Sequence, residues 1–139
     1  MNPLRLILAA LGAFAAYMVL GALLFGLIPS LKTEFLKYPA VYRSQAGIKA
    51  TMPVGMAFMF LAIVALAVVF AMLDRSGFTG ARLGALFGAL VGIFAIGSFV
   101  VHNYVNLQIG AMLALQQSIA YFVEWVIVGT VIGLIYRPR

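Results

Sequence analysis

Four long stretches of this chain carry almost no charge, and between them they take up most of its length. The hydrocarbon core of a bilayer is roughly 30 Å thick and an α-helix rises about 1.5 Å per residue, so a spanning helix needs about 20 mostly apolar residues. Residues 4–28, 52–73, 80–101 and 111–136 each meet that demand. The expected fold class is therefore all-α, an integral membrane antiparallel four-helix bundle forming a single transmembrane domain over 1–139.

Proline marks several of the boundaries. Pro29 closes the first stretch, and Pro53 is placed in the first turn of the second, where a missing N–H costs little. Arg137, Pro138 and Arg139 follow the fourth stretch. The first stretch exceeds the about 7–15 apolar residues of a signal-peptide core. No small-x-small cleavage site precedes a polar start, so it is expected to be a retained helix.

Composition agrees with lipid as the solvent. Hydrophobic residues make up 65% of the chain and charged ones 9%, with a mean hydropathy of +1.15. A soluble domain carries roughly a quarter charged residues. Too little polar surface exists here to coat a water-facing globule. The net charge of +6 does not indicate nucleic acid as a partner, because the basic residues lie between the apolar runs rather than in one dense cluster. Cysteine is absent, which excludes disulfides, thiol catalysis and thiolate metal sites.

The connections differ in kind. Asp74–Thr79 reads as a short polar turn that makes the second and third helices a hairpin, with Ser76 or Thr79 as a cap. His102–Gly110 is polar but uncharged. The 30–51 connection mixes Lys32, Glu34, Lys37, Arg43 and Lys49 with Phe35, Tyr38 and Tyr42, as expected of a segment lying on the membrane interface. Pro39 is expected to stop any helix there near Tyr38. Arg5, Arg75, Arg82, Arg137 and Arg139 fall on the side of the termini, against Lys32, Lys37, Arg43 and Lys49 on the other. Positive charge favours the cytoplasmic side, so the termini are expected there.

Within the spans, Gly80, Gly84, Gly88 and Gly92 recur at every fourth residue. Residues at i and i+4 share a helix face, so these four leave a groove without side chains. Membrane helices associate through such close backbone approach, because apolar contact alone gains little against lipid. Another helix of the same bundle is expected to fill the groove, either the first through Gly12 and Ala16 or the fourth through Gly129 and Gly133. A partner subunit is the alternative.

Glu124 is the acidic residue placed inside a span. A charged group at bilayer centre costs about 2.5–3.5 kcal/mol on insertion scales. Gln117, Tyr121 and Glu124 are spaced to share one face of the fourth helix. Two readings stay open: an interhelical hydrogen-bond clamp, and a proton or cation site of the kind that intramembrane carboxylates often mark. His102, Asn103, Asn106 and Gln108 form a second polar group, read as the mouth of the bundle. One histidine builds no multi-histidine metal site. No cofactor is expected, with axial ligation of a haem or chlorophyll by His102 the remote option. Walker, HExxH and nucleophile-elbow patterns are missing, and no catalytic residues are assigned.

The Asn-Pro-Leu-Arg start, the loop "LKYPAVYRSQ", the helix "ARLGALFGALVG" and the closing "VGTVIGLIYRP" together resemble small bacterial four-helix inner-membrane proteins of unknown function. That resemblance implies a bacterial cytoplasmic membrane and no particular activity. The functional expectation is a non-enzymatic structural or accessory protein, associating with itself or with a larger membrane complex. The alternative is a small-solute or proton-linked transporter, channel or ligand-binding protein using Glu124 and the His102–Gln108 mouth.

Overall fold

A computed structural model describes residues 2–73 and 80–136. They are helical almost throughout: α1 Pro3–Leu27, α2 Pro29–Leu36, α3 Gln45–Leu73, α4 Ala81–Ala95, a π-helical stretch Ile96–Val101, α5 His102–Asn106 and α6 Ala111–Ile135. No strand occurs among the described residues. The α4, π and α5 pieces are continuous, so four helices of 25, 29, 26 and 25 residues result. Each is longer than the roughly 30 Å of a hydrocarbon core requires.

Large apolar side chains stand exposed along all four, including Leu4, Phe58, Phe94 and Leu115. A monomer in water rarely presents contiguous apolar surface on that scale. The four helices are long and apolar enough to cross a membrane.

Two boundaries differ from the sequence expectation, each for a local reason. The second long helix begins at Gln45 rather than at residue 52. Ser44 supplies the cap: its Oγ accepts from the Gly47 N–H at 3.2 Å, and its carbonyl accepts from Ile48 at 2.8 Å. Pro53 consequently lies inside α3, where exposed neighbours leave room for it. Within the segment after α1, Pro29 opens α2 by preorganising its first turn, and α2 ends at Leu36, ahead of Pro39.

The third long helix continues past residue 101 to Asn106. The Ser98 hydroxyl donates to the Phe94 carbonyl at 2.7 Å within the wider π turn, and the Asn106 amide donates to the His102 carbonyl at 2.7 Å. Side chains thereby satisfy carbonyls that would otherwise end the helix. The proposed hairpin turn Asp74–Thr79 and its caps lie outside the described residues.

The most extensive helix contact joins α4 to α6, followed by α1 with α6 and α1 with α3. On α4 the glycines do what their spacing foretold. A Cβ added at Gly88 would stand 2.9 Å from both the Trp125 carbonyl carbon and the Val126 Cα. One at Gly84 would stand 3.1 Å from the Gly133 Cα, and one at Gly92 would stand 3.3 Å from the Phe122 Cα. Rising numbers on α4 thus meet falling numbers on α6. Gly80 starts the row with φ +80, a conformation that disfavours any residue with a Cβ. Of the two candidate mates, α6 with Gly129 and Gly133 takes the groove, while Gly12 of α1 faces Ile135 and Val131.

The core lies where α1, α3 and α6 meet. Ala9, Ala10 and Ala13 of α1 are fully buried against Ile63, Ala67 and Phe70 of α3 and Val128 and Ile132 of α6. Phe70 stacks edge-on with Phe87 and Tyr136. The first half of α3 takes no part in this core. Its residues 45–55 are exposed or nearly so.

Candidate functional site

The α1 face opposite the polar stripe of α6 carries Tyr17 and Gly21 one helical turn apart. Glu124 of α6 comes close to the α1 backbone at Gly21. A Cβ on Gly21 would stand 3.6 Å from Glu124 Oε1, an ordinary contact. The result is a pocket of about 140 Å³ between α1, α2 and α6, lined by Tyr17, Gly21, Gln117, Tyr121 and Glu124, with Phe25 and Phe35 closing one end. All three residues of the predicted stripe, Gln117, Tyr121 and Glu124, line this one cavity.

Two of its polar side chains are buried. Glu124 is 7% exposed and Gln117 6%. The Gln117 Oε1 and the Trp125 Nε1 have no hydrogen-bond partner. Among the described residues, no protein group donates to the Glu124 carboxyl and no basic side chain lines its pocket. A clamp between helices would require such a bond, and none links Glu124 to α1, α2 or α4. Burying a polar group unpaired is unfavourable, so these groups weaken the fold where they stand.

Aromatic rings surround the carboxyl. Tyr17 lies 6.1 Å from Trp125 between ring centroids, and Tyr121 packs edge-on against Phe99 at 5.7 Å. Tyr17 escaped the sequence reading, because one tyrosine in an apolar helix resembles any core or interface aromatic. Its spacing of four from Gly21 was the available signal.

Residues of α2 complete the pocket, with Leu31 and Phe35 in its lining. Leu31 and Glu34 of α2 are buried, and Glu34 is both hydrogen-bonded and ion-paired to Lys37. That hydrogen bond holds the Lys37 ammonium above the usual lysine range. Phe35 bridges Phe25 of α1 at 5.7 Å and Tyr42 at 4.7 Å. The Tyr38 hydroxyl accepts from the Gly110 N–H at 2.8 Å and pins the segment to the start of α6.

No family model, curated protein or solved structure matches the chain. The site must therefore be read from its own chemistry.

The second predicted group does not assemble with the first. His102, Asn106 and Gln108 are exposed and Asn103 is partly so, and none of them lines the Glu124 pocket. His102, Asn103 and Asn106 belong to α5 rather than to a connection, which leaves 107–110 as the link to α6. The glycines Gly84, Gly88, Gly92, Gly129 and Gly133 are occupied in helix packing, while Gly80 at the head of the row has open space beside it.

Proposed function

We propose that this chain is a multi-pass, non-enzymatic membrane protein that binds small organic cations at Glu124. A bacterial cytoplasmic membrane with cytoplasmic termini is the setting that the charge distribution and the resemblance favour. The observation that carries the reading is the buried Glu124 carboxyl, which has no protein partner and opens into an aromatic-lined cavity. A carboxylate attracts a cation, and the rings of Tyr17, Tyr121, Phe25 and Phe35 line the same cavity. Cation–π contacts contribute about 2 kcal/mol or more when the cation is desolvated. The cavity volume of about 140 Å³ suits a single small ammonium or pyridinium group rather than a large substrate.

The accessory-subunit reading drew on the backbone groove of α4, which α6 fills from within the chain. The Glu124 cavity supports the ligand-binding reading without help from the His102–Gln108 group.

Trp125 is the chain's one tryptophan and neighbours both Glu124 and Tyr17, so it serves as a reporter. Titration of the detergent-solubilised protein with N-methylpyridinium, a flat quaternary cation that quenches indole, should give saturable loss of Trp125 fluorescence. Glu124→Gln, with helicity intact by circular dichroism, should abolish saturation. Equal saturable quenching in both proteins would overturn the proposal, as would a purely linear response in the wild type.

A further inference from the structure

A larger cavity lies elsewhere, between the end of α1, α2 and the start of α3. Ser44 starts α3 well before the span proper. The space between these helices is an open cleft of about 670 Å³. Phe25, Phe35, Leu36, Ile48 and Met52 make its walls apolar. Lys32 and Arg43 also line it, together with Gln45 and Tyr42.

Three observations specify an occupant. The cleft sits at the C-terminal end of α1 and the N-terminal end of α3, the depth at which a spanning helix reaches lipid headgroups. Its two cations face no acid among the described residues: no carboxylate lines the cleft, and Glu34 is paired with Lys37. The apolar walls continue from those cations, so a molecule satisfying both parts must be an amphiphile with an anionic head.

We infer that this cleft binds an anionic phospholipid, with the phosphate on Lys32 and Arg43 and one acyl chain along Phe25, Leu36, Ile48 and Met52. Basic residues at the interface attract anionic headgroups, and the apolar wall contributes through chain burial. Phe25 and Phe35 line both this cleft and the Glu124 pocket, so the lipid seats against the rings that close that pocket. The inference stands on the cleft's own charge and shape and does not require the cation site.

Native mass spectrometry of the full-length protein in mild detergent tests it, using phosphatidylglycerol and phosphatidylcholine with identical acyl chains. Phosphatidylglycerol should be retained about thirtyfold more than phosphatidylcholine, as expected when two basic residues each contribute about 1 kcal/mol. The double variant Lys32→Gln/Arg43→Gln should lose that preference. Lys49→Gln, a cation outside the cleft, should keep it. Ile48→Trp, which fills the apolar wall, should lower retention of both lipids. Equal retention of the two lipids by the wild type, or equal loss in Lys49→Gln and the double variant, would overturn the inference. Displacement of phosphatidylglycerol by millimolar inorganic phosphate would likewise overturn it, by showing a site for a soluble anion.

Discussion

The two sides of this molecule solve helix packing in opposite ways. Along α4 and α6, glycine faces glycine and backbone meets backbone, leaving no space for a methyl group. Around α1, α2 and the start of α3, aromatic rings hold the helices apart, and two cavities open between them. Close backbone approach maximises dispersion contact and needs no polar group. The open side gives up that contact and holds a carboxyl, an amide oxygen and two cations that have no partner among the described residues. One side stabilises the fold, and the other holds the polar groups on which the proposed binding rests.

The contrast is broken most directly at Gly88. Gly88→Leu must drive a side chain into the α6 backbone, which cannot yield as a flexible side chain can. Destabilisation should reach the top of the about 1–3 kcal/mol usual for overpacking, or exceed it. Gly55→Leu on the open side adds the same atoms where nothing lies within 4 Å, and should change stability by no more than about 0.5 kcal/mol. Chemical denaturation in detergent micelles measures both. Similar losses at the two positions would mean that the seam is not special.

Much of the dense side was legible in the sequence, and little of the open side was. Apolar runs and a spacing of four are local signals, so the spans and the groove on α4 could be read from residues near one another. Which helix fills the groove could not, because Gly12 with Ala16 and Gly129 with Gly133 offer equivalent small faces. The start of α3 was obscured because Pro53 is a conspicuous helix-start residue, while the capping role of Ser44 depends on a hydrogen bond to Gly47. The cleft had no local signal either. It lies between α1, α2 and α3, and is a property of the assembled chain. The stripe of Gln117, Tyr121 and Glu124 was visible, but its partner Tyr17 lies a hundred residues earlier in the sequence and becomes a neighbour only on folding.

Glu124 sharpens the comparison because its sign separates the two uses of a buried polar group. If the carboxyl clamped helices together, its loss would cost the about 0.6–2 kcal/mol of a membrane hydrogen bond. As an unpaired group it should oppose folding instead. Glu124→Leu is expected to leave stability unchanged or raise it by up to about 2.5 kcal/mol, the insertion cost of a charged group at mid-span. Unfolding of the two proteins under identical detergent conditions reads the sign directly. A clear loss would move Glu124 from the open side's chemistry to the dense side's architecture.

The smallest expected effect concerns how the open side keeps its shape at all. With helix packing sparse there, α2 is held by the buried Leu31, by the Phe25–Phe35–Tyr42 ring contacts and by the bond from the Gly110 N–H to the Tyr38 hydroxyl. That bond is the long-range hydrogen bond tying the segment to the start of α6. Tyr38→Phe removes its acceptor and keeps the ring, so the loss should be about 1 kcal/mol, the net value of one hydrogen bond. The loss should also be local. Hydrogen exchange at Gly110 and through α2 should quicken, while the α4–α6 seam keeps its protection, because local openings draw on the weakest contacts first. Faster exchange along α6 at Gly129 and Gly133 as well would show that the two sides open as one cooperative unit, and the division between a dense scaffold and a loose site would fail.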